Sequence, residues 1–183
     1  MTTPIAIRAL APAEAEARLD ELAAILLDAV AHGASVNFMA GLTEAQARDF
    51  WHGQIPGMAA GSRVFLAADD GARLVGTVVV TFAPQPNAPH RAEVGKMLVL
   101  SGVRRQGLGR RLLQAAEDAA RAAGRTLLVL DTESGSAGDH LYRACGWQEA
   151  GRIADHSYTP DGRLAEATIF TKRIGPHRRP LAA

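Results

Sequence analysis

The period of the apolar positions changes several times along the chain, and each change marks an element. After Pro12, apolar residues recur at Ala15, Leu19, Leu22, Ala23, Leu26 and Val30, the spacing of one helical face, and Gly33 supplies a stop. Thr43-Glu44-Ala45-Gln46 has the form of a capping box and predicts a second helix carrying Phe50 and Trp51. A short strand over Ile5 to Arg8 precedes both. Arg63 to Ala68 and Leu74 to Phe82 are β-rich runs joined by Asp69-Asp70-Gly71, which predicts a hairpin. Pro84, Pro86 and Pro89 make 83–90 a loop, because proline fixes φ and offers no ladder donor.

A third strand is predicted over Ala92 to Leu100. A helix follows with Leu108, Leu112, Ala115, Ala116, Ala119 and Ala123 on one face and Gly124 past its end. Thr126 to Asp131 is a continuous apolar run, the pattern of a strand covered on both faces. Ser136 to Cys145 reads as a short helix stopped by Gly146. Two closing strands, Gln148 to Ser157 and Leu164 to Arg173, flank the turn Pro160-Asp161-Gly162. This order predicts one α/β domain over residues 1–174, a mixed sheet with helices on both faces, and a flexible basic tail over 175–183.

Composition narrows the function classes. The chain has 183 residues, 48% hydrophobic and 21% charged, which suits a folded domain rather than a disordered one. A formal net charge of +1 gives no global field for nucleic acid or an anionic membrane. No apolar run is long enough to span a bilayer, and the start Met1-Thr2-Thr3-Pro4 lacks the pattern of a signal peptide. The single cysteine, Cys145, cannot form an internal disulfide, in keeping with a cytoplasmic protein. No histidine pair has metal-ligand spacing beside an acid, so no metal site is expected.

The chemistry concentrates at Arg104-Arg105-Gln106-Gly107-Leu108-Gly109-Arg110, where a strand runs through a turn into a helix. The first N–H groups of a helix lack internal partners and carry partial positive charge, so this end suits a phosphate. Gly107 and Gly109 would let a pyrophosphate approach the backbone, and the arginines add positive charge. A Walker loop requires Gly-Lys-Ser or Gly-Lys-Thr, which is absent. A dinucleotide fingerprint requires a third glycine where Leu112 stands.

Beyond the turn, the chain resembles the GNAT acetyltransferases, whose pyrophosphate loop has the form Arg/Gln-x-x-Gly-x-Gly/Ala. Arg104, Gly107 and Gly109 match it in order. Met97-Leu98-Val99 looks like the splayed family strand that bonds the acetyl and pantetheine groups. Leu141-Tyr142-Arg143-Ala144-Cys145-Gly146-Trp147 looks like the family's Leu-Tyr-x-x-x-Gly-Phe, with Trp147 in place of Phe. A narrower likeness, to the branch containing the tabtoxin-resistance acetyltransferase, rests on Ala31-His32-Gly33-Ala34-Ser35, Leu130-Asp131-Thr132 and Asp161-Gly162-Arg163-Leu164. One departure stands at Gly135, where many members carry Asn.

The resemblance implies a mostly antiparallel sheet of about seven strands, acetyl-CoA as cosubstrate, and cofactor contacts from Met97 to Val99 and from Arg104 to Arg110. It implies that the Val99 N–H receives the carbonyl oxygen and that Tyr142 is the acid for the leaving sulfur. Asp131, ending an apolar strand, is the first candidate base and Glu93 the second. Phe38, Phe50 and Trp51 either line the acceptor pocket or belong to the core. The expected protein is a monomer or homodimer that acetylates an amine or hydroxyl of a small molecule. The alternatives are a protein lysine or N-terminal acetyltransferase, a non-catalytic acyl-CoA sensor, and a nicotinamide-dinucleotide enzyme.

Overall fold

A computed structural model describes residues 4–176. The elements in chain order are β1 (Ala6–Ala9), α1 (Pro12–Ala17), α2 (Leu19–Ala31), α3 (Glu44–His52), α4 (Ile55–Ala59), β2 (Arg63–Asp69), β3 (Leu74–Phe82), β4 (Arg91–Val99), α5 (Leu108–Ala122), β5 (Leu127–Glu133), α6 (Ala137–Ala144), β6 (Gln148–Tyr158) and β7 (Leu164–Arg173). The strands form one sheet of seven in the order β1-β2-β3-β4-β5-β7-β6. Every neighbouring pair is antiparallel except β4 and β5.

Two apolar layers sandwich this sheet. On one face Leu108, Leu112, Leu113, Ala116 and Ala120 of α5 pack with Val78, Val80, Val94 and Leu128 of the strands and Tyr142 of α6. On the other, Leu22, Ile25, Leu26 and Trp51 of α2 and α3 pack with Phe65, Ala67, Val79 and Leu98. Adjacent strand residues such as Val79 and Val80 go to opposite layers because side chains alternate across a strand.

The capping box forms as expected: Thr43 accepts from the Gln46 N–H, and the Gln46 side chain bonds back to the Thr43 N–H. Three features depart from the sequence reading. The first helix is two helices, broken at Arg18, whose guanidinium bonds Glu21 and reaches Asp69 at 2.5 Å. Glu21 then accepts the Leu74 N–H at 2.6 Å, so α2 is pinned to the β2–β3 hairpin. A five-residue helix, α4, stands where no element was predicted. Thirdly, β5 is not covered on both faces: Leu128 and Leu130 are buried, but Leu127 and Val129 are half-buried and Asp131 is exposed. Most of the predicted basic tail, residues 177–183, lies outside the described residues.

Candidate active site

The site begins where β4 and β5 part. They are in register only at Arg91↔Leu127, Ala92↔Leu128 and Glu93↔Val129, yet β4 runs on to Val99 and β5 to Glu133. Beyond those pairs each strand presents an inner edge with no strand beside it. A bulge in β4 accompanies the parting, because Thr77 faces Leu98 while Val79 faces Gly95. Lys96 sits in the bulge at φ 47°, and the Thr77 hydroxyl donates to its carbonyl at 2.9 Å. At the strand's end the Leu100 N–H donates to Val75 O at 2.9 Å, on the β3 side. Peptide groups alternate along a strand, so the N–H and C=O of Val99 face the parting.

From Val99 the chain turns through Ser101–Val103 and enters α5. Arg105 at φ 61° and Gly107 at φ 76° bend the turn so that α5 starts with no side-chain cap. Its first N–H groups are open donors at the positive end of a 15-residue helix. A Cβ at Gly107 would meet nothing within 4 Å, so the space above the turn is free for a ligand. Gly109 also serves the packing. A Cβ there would lie 2.9 Å from Cδ2 of Leu141, so this glycine lets α6 pack against α5.

The arginines divide in the same way. Arg104 is occupied within the protein: its Nε donates to Val99 O at 2.8 Å and its guanidinium lies 3.3 Å from Asp28. Asp28, on α2, also accepts the N–H and hydroxyl of Ser101. Arg111 reaches the Ile5 carbonyl at 2.6 Å. Arg105 and Arg110 are exposed and form no hydrogen bond or ion pair among the described residues. They are the charges left for an anion at the turn. The residues present therefore fit a ligand that carries a pyrophosphate.

Tyr142 stands on α6, which packs beside β5. It is 7% exposed and packs against Trp147 and Phe170 with ring centres 5.8 and 5.9 Å away. Its hydroxyl has no hydrogen-bond partner among the described residues. Burial, helped by the charge of Asp131, pushes its phenol above the usual value, so it stays protonated well past neutrality. Asp131 is exposed on β5, opposite Ile169 of β7. Its charge raises the pKa of the Tyr142 phenol and opposes the lowering at Lys96.

Glu93, exposed at the last paired position, lines two adjoining hollows on the α3 face of the sheet. One, of about 160 Å³, lies among Phe50, Trp51, Gln54, Val79, Gly95 and Lys96. The other, about 150 Å³, runs under the proline loop past Phe82, Pro84 and Arg91 to Val129. Thr81 also borders both, so Glu93 and Thr81 stand at the middle of one trough. Phe38, Phe50, Trp51 and Phe65 form a chain of edge-on aromatic contacts beside it. Trp51 is fully buried core as well as pocket wall.

The sequence reading missed Lys96. It is half-buried in the trough wall, with its ammonium 5.2 Å from the centre of the Phe50 ring. Burial lowers its pKa, against the opposing effect of Asp131 and Glu93. A lysine three residues after a glutamate, before the family-like Met97-Leu98-Val99, was the available signal.

At Gly135, in place of the family's Asn, φ is 75° and the N–H donates to buried Asp139 at 2.6 Å. The neighbouring serines are engaged: Ser134 with Thr168 at 2.7 Å, and Ser136 as the cap of α6. Cys145 ends α6, and its thiol side packs at the edge of the core. Among the described residues, no three His, Cys, Asp or Glu stand together as a metal site would require.

The site is thus a parted pair of parallel strands beside an uncapped helix start. Residues 27–147 match the model of the acetyltransferase (GNAT) family, and the chain belongs to that family, whose enzymes use acetyl-CoA as cosubstrate. Among solved structures, the fold is similar to yncA of Salmonella typhimurium, determined with acetyl-CoA: 19% identity, TM-score 0.77, covering 98% of this chain and 99% of that one. It is similar to the ribosomal-protein-alanine N-acetyltransferase of Brucella melitensis at 25% identity, TM-score 0.75, covering 92% and 99%. It is also similar to a protein assigned as a phosphinothricin N-acetyltransferase at 18% identity, TM-score 0.74, covering 94% and 99%. Among the described residues, no helix is long and apolar enough to cross a membrane.

Proposed function

We propose that this protein transfers an acetyl group from acetyl-CoA to an amine or hydroxyl of a small molecule, by direct attack in a ternary complex. The observation that carries the choice of a small acceptor is the contact between Ala40 N–H and Pro160 O at 2.9 Å. It ties the segment between α2 and α3 to the β6–β7 turn. That segment leaves α2, which lies over β3 and β4, and reaches the β6–β7 turn at Ala40. It then returns to α3, which packs on α2, so it passes from one half of the sheet toward the other at the end where β4 and β5 part. A long peptide needs an open groove there, whereas a small molecule fits hollows of about 150 and 160 Å³. The likeness to the tabtoxin-resistance branch supports the same class.

The proton accounting assigns each group a role. Glu93, central in the trough, or Asp131, at the parting, takes the proton of the attacking amine or hydroxyl directly or through water. The Val99 N–H stabilises the charge that develops on the carbonyl oxygen. Tyr142 gives its proton to the departing sulfur, a role for which a protonated phenol without a competing partner is suited. Arg105, Arg110 and the open N–H groups of α5 hold the pyrophosphate. Cys145, whose side chain packs at the edge of the core, supports attack without a covalent acetyl-enzyme. The lone cysteine also favours the cytoplasm as the place of work.

A second reading is favoured by the Brucella melitensis neighbour, which acts on a ribosomal protein. In that reading the Ala40–Pro160 contact opens for a peptide N-terminus. A screen that follows free thiol release from acetyl-CoA separates the two. Turnover with small amines or hydroxy compounds and none with peptides is expected; the reverse overturns the proposal.

A further inference from the structure

We infer that the acceptor carries a carboxylate and that Lys96 is the residue that receives it. This rests on the acetyltransferase reading above and names the substrate class of the same site. The starting observation is how this chain uses lysine. It has two, Lys96 and Lys172, against eighteen arginines. Lys172 is satisfied: it bonds buried Glu117 at 2.5 Å and the Cys145 carbonyl at 2.8 Å. Lys96 forms no ion pair and no side-chain hydrogen bond among the described residues, although it is half-buried. A half-buried cation whose only described partner is the face of the Phe50 ring lacks a counter-ion, and an anion in the trough would offset its lost hydration.

The backbone around Lys96 is built to hold it there. A non-glycine residue at φ 47° is strained, and such strain persists where the surroundings enforce it and a site uses it. The β4 bulge and the bond from Thr77 enforce it here. Lys96 shares its hollow with the rings of Phe50 and Trp51 and the amide of Gln54. A dry cavity of about 150 Å³ holds a molecule the size of benzene, so the space suits an acid of amino-acid dimensions.

The acids nearby complete the match. Glu93 and Asp131 are close enough to influence Lys96 but do not pair with it. A cation flanked by two separate acids complements an amino acid, with its carboxylate on Lys96 and its ammonium toward Glu93 or Asp131. The same ammonium must lose a proton before attack, and those carboxylates stand ready to take it. In a 2-hydroxy acid the hydroxyl takes the ammonium's place.

The small number of lysines makes a direct test possible. Reductive ¹³C-methylation of the full chain keeps the charge and yields one NMR signal from each lysine, assigned by loss of one in Lys96→Arg. The probes are L-amino acids and 2-hydroxy acids, each beside its own carboxamide. The acids are expected to move the Lys96 signal and leave that of Lys172 in place, with the amides binding about 10- to 100-fold more weakly, the worth of one charge-assisted hydrogen bond. No movement with any acid, or equal affinity for acid and amide, overturns the inference.

Turnover provides a second readout. Wild type is expected to prefer an acid over its amide in kcat/KM, and Lys96→Gln to lose that preference. An equal fall for both in Lys96→Gln means Lys96 serves the fold or the chemistry, and overturns it. Binding of acids at Lys96 without acetyl transfer would leave the carboxylate site standing and remove the proposed function. Transfer to acceptors regardless of their charge would do the opposite.

Discussion

The carboxylate of Asp28 holds Ser101 by two bonds, at 2.8 Å from the Ser101 N–H and 2.6 Å from its hydroxyl, and lies 3.3 Å from the Arg104 guanidinium. One acid on α2 therefore fixes the turn that opens α5, from the opposite face of the sheet. His32, one helical turn further on, bonds the Asp28 carbonyl through Nδ1.

Asp28→Ala is expected to weaken acetyl-CoA binding without touching the ligand, by loosening the turn. Two hydrogen bonds to a carboxylate are lost, each worth about 1.5–3 kcal/mol in a favourable setting. Part of that is recovered by water, so a loss of affinity of about tenfold is expected by calorimetric titration. Unchanged affinity would show that the turn holds its shape without Asp28.

Gly107→Val tests the turn from the other side. Its φ of 76° disfavours a β-branched residue, and its side chain would enter the free space above the turn. Acetyl-CoA affinity is expected to fall by at least tenfold in a folded protein. Normal binding by a folded variant would remove the pyrophosphate from this turn. Gly109→Val should instead unfold or destabilise the protein, since the new Cβ meets Leu141 of α6.

Much of this frame was legible from local pattern. The strands on either side of Asp69-Asp70-Gly71, the capping box at Thr43 and the helix from Leu108 all formed as read, because period and caps act over a few residues. What was not legible depends on partners far along the chain. The break at Arg18 accompanies a tie to Asp69, fifty-one residues on. Arg104 matched a motif, but its guanidinium is engaged by Asp28, seventy-six residues back. Lys96 in a strand-like run reads as a solvent-facing charge until the bulge turns it into the trough. The apolar run at Leu127 to Leu130 did not reveal that one face of β5 stays open beside the parting.

Tyr142→Phe is expected to lower turnover by about 100- to 10,000-fold, the range of general acid help. Acetyl-CoA affinity should change little, because the ring remains packed on Trp147 and Phe170. Since the phenol's pKa is raised, the acid form persists as pH increases, and Tyr142 should not produce a fall in kcat between pH 7 and about pH 10. The pH profile of wild type checks this: an alkaline fall in that range that disappears in Tyr142→Phe would contradict it.

Glu93→Gln and Asp131→Asn distinguish the two bases. The residue that takes the proton should, when altered, cost a hydroxyl acceptor more than an amine, because an amine can lose its proton to solvent. The position of Glu93 in the trough favours it for an acceptor seated beside Lys96. Steady-state turnover of both variants with an amine and a hydroxyl acceptor decides the matter. If both turn over like wild type, neither carboxylate is the base.

Away from the site, Lys172→Met should be destabilising. It leaves Glu117, 3% exposed, with Arg121 at 3.3 Å as its remaining ion-pair partner. Breaking a buried pair costs about 3 kcal/mol or more, which lowers Tm by roughly 6–12 °C in a domain of this size. The double change Glu117→Leu with Lys172→Met should recover most of the loss in thermal unfolding. No recovery would mean that the bond to the Cys145 carbonyl matters more than the charge pair.

The three residue pairs that join β4 to β5 give the sheet a short spine. On one side stand four strands, on the other three, and past Glu93 and Val129 the two leaves open like a book. On the proposed function, a ligand laid between the leaves would serve as a temporary strand, bonding edge groups such as the Val99 N–H. The protein's cohesion would then change through the reaction cycle: looser when empty, stitched when loaded, loose again as the spent thiol departs. Amide exchange at Val99 and along Asp131 to Glu133 should slow on loading more than in β2 or β3. On that reading the substrate would be, for the length of one turnover, part of the architecture.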